Sequence, residues 1–382
     1  MSLTNFDVDL FLREHWQKKP LLVRGAFDAW TNPLDPDELA GLACEDEVES
    51  RLITLKRTDW KVEPGPLPED RFGKLGKAPW TLLVQAVDQH VPAVAALVAP
   101  FRFVPNWRVD DVMVSYATDG GGVGPHFDQY DVFLIQGLGQ RRWQVGGLCD
   151  DETPLLPHDD LRLLANFEAI EEWVLEPGDM LYVPPRIAHN GVAVGKDCMT
   201  YSIGFRAPAR SELIAHFADH LLAKLDDDDR YADPGLQAQD NPGEITPEAL
   251  ARLHAMVTEK LADKTAFARW FGAYSSTPKY PEVDWAPDEP VTIEDVRGAF
   301  AAGATLRRNP ASRFSFVREG DAVALFVDGE SHECAGEVAL FAEKLCATDR
   351  LTTEAAIAAS APTVALVAAL LNKGSIEVDQ TD

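Results

Sequence analysis

His126-Phe127-Asp128 and, further along, His189 are the residues of this chain best suited to chemistry: two imidazoles and one carboxylate, enough to hold a metal ion. On an extended backbone successive side chains alternate faces, so His126 and Asp128 point one way and Phe127 into the opposite layer. Two ligands from one segment need a third from elsewhere, and His189 is the candidate. Two His and one carboxylate on one face of an octahedral metal leave the opposite face open, the arrangement that suits non-haem Fe(II) activating O2. Such a triplet alone is common by chance, so its weight depends on the elements around it.

Those elements read as short strands. From Val109 the hydrophobic period is two, Val112, Val114 and Tyr116 alternating with Met113, Ser115 and Ala117. Gly120-Gly121-Gly122-Val123-Gly124 precedes the triplet. No Lys-Ser/Thr follows and the next element is a strand, which speaks against a phosphate loop, and a mobile lip beside the metal is expected. Residues 131–136 form an apolar run suited to a strand covered on both faces. Gly137-Leu138-Gly139 then reads as a hairpin turn into a return strand over 141–145. Arg141, Trp143 and Val145 share one face there, and two of the three are apolar, so that face looks inward and Arg141 becomes the candidate buried cation. An Arg that snorkels to solvent or pairs with a structural Asp is the alternative. Pro177-Gly178-Asp179 makes a tight turn between two further strands, and His189 follows the Pro184-Pro185 corner, where a loop enters the sheet. Short strands broken by Gly and Pro turns predict a β-barrel or jelly roll with the ligands facing its interior.

On the flanks, residues 7–16 space Val8, Leu12 and Trp16 as an amphipathic helix, Lys18-Lys19-Pro20 ends it, and Leu21-Leu22-Val23 is a strand. Residues 80–91 also carry helical spacing through Leu83, Val84, Val87 and Val91. Beyond Pro208 the stripe Leu213, Ile214, Phe217, Leu221 and Leu225 predicts a helix. His216 and His220 lie four apart on it, but no Glu follows His216, so the metalloprotease pattern fails and both are read as surface residues. Thr246-Pro247-Glu248 starts a second helix that runs to about residue 263. Helices without a sheet of their own cannot bury both sides, so they are expected to pack on the barrel and on a second copy, making a homodimer. Four prolines in residues 277–290 mark a linker. After it, a helix from 293, a hairpin turning at 319–321, and helices over 336–346, 352–359 and 363–371 suggest a small winged-helix-like domain. With 14 acidic and 8 basic residues from 291 onward, a net of −6, that domain does not suit a phosphate-tracking surface.

Composition agrees. The 382 residues are 46% apolar, enough for buried cores, and 62 acidic against 35 basic side chains leave a net charge of −27. That balance disfavours direct nucleic-acid binding and favours basic partners. The apolar stretch 363–371 is too short to span a bilayer and residues 1–10 lack the pattern of a signal peptide, so no membrane partner and a cytoplasmic location are expected. Five scattered cysteines without a C-x-x-C pair read as plain thiols.

Taken together, His126-x-Asp128, Arg141, the Pro-Gly-Asp-x-Leu-Tyr-x-Pro-Pro segment and His189 resemble the JmjC class of Fe(II)/2-oxoglutarate oxygenases. Lys18-Lys19-Pro20 before a strand, the segment Gly-Gly-Gly-Val-Gly-Pro-His-Phe-Asp-Gln-Tyr-Asp-Val-Phe, and Tyr201-Ser202-Ile203-Gly204-Phe205-Arg206-Ala207-Pro208 are similar to bacterial ribosomal oxygenases of the YcfD type. The resemblance implies an α+β chain with a double-stranded β-helix (jelly-roll, cupin) core: a JmjC domain over residues 1–208, a helical dimerisation region over 209–276 and a winged-helix-like domain over 291–382. It further implies Fe(II), 2-oxoglutarate and O2, and as substrate an arginine of the basic large-subunit ribosomal protein sixteen. His126, Asp128 and His189 would hold the iron. Arg141 would pair with the distal carboxylate of 2-oxoglutarate, since a planar guanidinium grips a carboxylate with two charge-assisted bonds. Ser115 is the candidate assisting hydroxyl, while Ala117 stands where a Ser would be expected. The same chemistry on a histidine or an N-methyl lysine, or a non-catalytic cupin-fold regulator, are the alternatives.

Overall fold

Among the described residues, nine strands of the N-terminal half pair into one sheet in which every pairing is antiparallel. The computed structural model describes residues 2–76, 78–352, 358 and 360–379. The chain divides into two compact units, Met1–Ala207 and Pro208–Asp382.

In the first unit the strands are β1 (Leu21–Val23), β2 (Ser50–Lys56), β3 (Asp59–Pro64), β4 (Trp80–Val84), β5 (Val109–Ala117), β6 (Asp131–Leu148), β7 (Glu171–Leu175), β8 (Met180–Val183) and β9 (Ile187–Phe205). Their order is β1-β8-β6-β9-β5-β4-β2-β3, with β7 also on β6. Two long strands organise it. β6 pairs with β9 along nearly its whole length, with β8 through residues 132–135 and with β7 through 141–145. Each long strand thus runs through both faces of a double-stranded β-helix.

The hairpin expected at Gly137-Leu138-Gly139 does not form. β6 is one continuous strand of 18 residues whose register against β9 shifts between Gln136 and Leu138 and again before Gln140. The glycines serve bulges, which bend a strand without ending it. A Cβ at Gly137 would lie 2.5 Å from the Tyr201 ring, and Gly139 has φ +57°. The helix expected over 80–91 is also replaced. Residues 80–84 form β4, four of whose five residues are buried between β2 and β5, and an apolar run without alternation imitates helical spacing. Pro92 opens a short helix, Pro92–Ala95.

Behind the sheet lies an aromatic core in which Tyr182 meets Phe11 at 4.8 Å and Phe133 at 5.0 Å between ring centroids. One acid sits within it. Asp131, fully buried, accepts hydrogen bonds from Tyr182 Oη (2.6 Å), Gln17 Nε2 (3.0 Å) and Arg108 Nη2 (3.0 Å), which fixes the start of β6.

The second unit begins with the helices Arg210–Leu222, Pro247–Leu261 and Lys264–Ser276. The second of these is capped by Thr246 as its sequence predicts. The third packs on a three-stranded meander, Phe314–Glu319, Ala322–Val327 and Glu330–Ala335: Gly272 lies so close to the Phe326 ring that a Cβ would meet it at 2.2 Å. A second small sheet orders Arg350–Thr352, Thr305–Arg308 and Ile376–Asp379, and helices Ile293–Ala301, Glu337–Ala347 and Ala361–Asn372 complete a winged-helix core around Phe341, Leu325 and Val367. The helix expected over 352–359 lies outside the described residues, apart from Thr352 and Ala358.

Candidate metal centre

The two histidines are brought together by backbone. His126 N–H donates to His189 O (3.0 Å) and His189 N–H to His126 O (2.8 Å), an isolated antiparallel bridge that sets the rings side by side, centroids 4.3 Å apart. The triplet is therefore pinned by one bridge rather than carried on a regular strand, and His189 lies within β9 rather than in a loop. Arg186, at φ +66°, donates its N–H to Asp128 O (2.6 Å), and its Nε to Cys149 O (2.9 Å), tying the third member to the same corner. Phe127 packs away from the triad, with Cys149, Leu164 and Ala188.

Tautomer follows from these contacts. His126 Nδ1 lies 2.9 Å from Gly124 O and His189 Nδ1 2.9 Å from Ile187 O. A carbonyl only accepts, so each Nδ1 carries the proton and each Nε2 keeps a free lone pair. Asp128 Oδ2 stands 3.6 Å from His189 Nε2 and 4.0 Å from His126 Nε2, too far for hydrogen bonds. One ligand atom from each residue falls within 4.8 Å of the others, the spacing of donors around a shared ion. Burial, and then the neighbouring His126, lower the His189 pKa to about 4, so near neutral pH it holds the uncharged form a metal requires. Among the described residues no other cluster of three such ligands occurs. His216 and His220 do not join one: His216 packs near Tyr274, ring centroids 5.3 Å apart, and His220 beside Phe217.

Arg141 faces inward and is 3% exposed. Its Nη2 reaches Ser115 Oγ, also buried, at a long 3.5 Å, its guanidinium carbon lies 5.7 Å from the centre of the Trp143 ring, and its Nε has no acceptor among the described residues. A buried cation that meets no carboxylate among the described residues is costly, and an anion supplied by a ligand would satisfy it. The orphaned donor thus fits an acidic co-substrate in the cleft.

The glycine loop is not a mobile lip. Gly121 and Gly122 are buried, Gly120 N–H donates to Ala193 O (3.0 Å), Ala193 N–H to Gly121 O (2.8 Å), and a Cβ at Gly122 would lie 2.4 Å from Gly191 O. The glycines let this segment lie flat against β9. Two residues escaped the sequence reading. Tyr130, whose side chain is partly exposed, lies against Asp128 with Asp111 and Asp110 near, and desolvation of its hydroxyl and then those charges push its pKa upward. Its position two residues past the triad was the available signal. Arg186 had none, because its contribution is a backbone N–H.

Comparison with known proteins follows the same division. Residues 96–213 match the JmjC domain model and residues 259–377 the ROXA-like winged helix. The chain is 41% identical over 367 residues, 95% of each chain, to the ribosomal protein uL16 3-hydroxylase of Escherichia coli strain K12. It resembles the X-ray structure of E. coli ycfD with a TM-score of 0.90 at 37% identity, covering 99% of this chain and 100% of that one. The E. coli ribosomal oxygenase YcfD in complex with cobalt and 2-oxoglutarate gives a TM-score of 0.87 at 37% identity, with 99% of both chains covered.

Proposed function

The chain belongs to the JmjC-domain ribosomal oxygenases, and from that premise we propose that it is an Fe(II)- and 2-oxoglutarate-dependent hydroxylase of an arginine in the ribosomal protein uL16. The observation that carries this reading is the His126-Asp128-His189 cluster beside a buried Arg141 that meets no acid among the described residues.

The residues divide the work. His126, Asp128 and His189 hold the metal through Nε2, a carboxylate oxygen and Nε2, with Gly124 O and Ile187 O fixing both imidazole tautomers. Arg141 and Ser115 grip the distal carboxylate of 2-oxoglutarate. When bound, Fe(II) with 2-oxoglutarate supplies the oxidising power that places one oxygen of O2 on an unactivated carbon, the other leaving in succinate as CO2 is released. The protein aims that chemistry. Tyr130, beside Asp128 with Asp110 near, offers an acidic, aromatic surface suited to a guanidinium, and the net charge of −27 attracts a basic substrate before it is covered by ribosomal RNA.

Residues 1–208 form the oxygenase part in this reading, 209–276 a dimerisation region and 291–382 a winged-helix-like tail for protein contact rather than direct nucleic-acid binding. The helix Pro247–Leu261 supports a homodimer: it has no buried residue and exposes Leu250, Leu253, Val257 and Leu261. No helix among the described residues is long and apolar enough to cross a membrane, which is compatible with work in the cytoplasm.

The test is to incubate the chain with Fe(II), 2-oxoglutarate and free uL16 and weigh the peptides. One added oxygen on an arginine is expected. An oxygen on a histidine keeps the chemistry and moves the target, and no added oxygen on any residue rejects the proposal.

A further inference from the structure

Trp143 stands beside the route from the metal ligands to the buried cation. Strand alternation puts it on the inward face with Arg141 and Val145, and it is 5% exposed. Its ring centroid lies 6.0 Å from that of His189 and 5.7 Å from the Arg141 guanidinium carbon. One edge of the indole is committed to packing: a Cβ at Gly191 would lie 2.6 Å from both Cη2 and Cζ3. The six-membered ring therefore rests on the β9 backbone, and the edge that carries Nε1 is turned away from it. Nε1 is buried and has no acceptor among the described residues, which a tryptophan N–H inside a protein ordinarily finds. Arg141 Nε, on the same face, is orphaned too. Two neighbouring donors without acceptors point to one shared acceptor, supplied by a ligand.

We infer that Trp143 Nε1–H is a third donor, with Arg141 and Ser115, to the distal carboxylate of the co-substrate. This rests on the functional reading above. A carboxylate offers about four lone-pair sites, of which a guanidinium fork takes two, leaving room for a hydroxyl and an indole N–H. The indole neither gains nor loses a proton in water, so it selects for the second carboxylate without adding charge. A 2-oxo acid that lacks that group leaves the donor orphaned.

The experiment measures, by titration calorimetry on the Co(II)-loaded chain, the affinities of 2-oxoglutarate and of 2-oxobutyrate, which has no second carboxylate. Trp143→Phe keeps an aromatic ring and removes the donor. We expect 2-oxoglutarate to bind about tenfold more weakly or worse, with 2-oxobutyrate and Co(II) affinities nearly unchanged. Unchanged 2-oxoglutarate affinity, or an equal loss for both acids, overturns the inference. If Trp143→Phe does not fold, the isosteric benzothienylalanine at the same position, which lacks only the N–H, is judged by the same criteria. Failure of the wild-type chain to bind 2-oxoglutarate overturns the functional reading and this inference together, whereas wild-type binding with an unaffected variant overturns the inference alone.

Discussion

β6 buries two oppositely charged side chains, one in each half, and treats them differently. Asp131, at its start, is fully buried and has three hydrogen-bond donors within 3.0 Å, one of them Arg108. Arg141, beyond the bulges, is nearly as buried, with one long hydrogen bond to Ser115, the Trp143 ring beside it and, among the described residues, no acceptor for its Nε. A buried charge with a full set of partners is part of the scaffold. A buried charge without one is a cost to folding that a ligand repays, so the second half of the strand marks the site and the first half holds it in place.

Four substitutions break or sharpen that contrast. His126→Ala should abolish uL16-dependent succinate formation and most Co(II) binding while leaving the melting temperature of the metal-free chain nearly unchanged, as followed by succinate assay and calorimetry; a non-catalytic regulator would keep its phenotype. Asp131→Ala should instead act on stability, costing about 3–5 kcal/mol in denaturant unfolding because Arg108 loses its buried partner. Arg141→Met should do the reverse: unfolding no easier than wild type, since an uncompensated charge has gone, yet 2-oxoglutarate binding weaker by about a hundredfold or more, as two charge-assisted bonds are lost. A clear loss of stability in Arg141→Met would place Arg141 with Asp131 as scaffold. Ser115→Ala, removing a contact 3.5 Å long, should cost about tenfold or less in the same binding titration.

Much of this was legible in the residues. The inward face of Arg141 follows from strict alternation through Trp143 and Val145, a local rule that long-range packing did not disturb. The helix from 293 forms after the linker prolines as expected, and the structure shows its cap, Thr292, whose Oγ1 accepts from Asp295 N–H. Gly137-Leu138-Gly139 was misread because glycine serves a hairpin turn and a bulge equally well. The choice between them is made by β9, some 60 residues distant in sequence, and by the Tyr201 ring packed where a Cβ would stand. The glycine loop failed for the same reason: its flatness against Gly191 and Ala193 is a tertiary fact. Arg186 was invisible because any residue has a backbone N–H to offer Asp128.

The most direct test compares mass spectra of free uL16 after incubation, with Fe(II) and 2-oxoglutarate, with the wild-type chain and with His126→Ala. A hydroxylase working through this triad leaves one extra oxygen on an arginine with the wild type and none with the variant. Unmodified uL16 after exposure to the wild type, or equal modification by both, would contradict it.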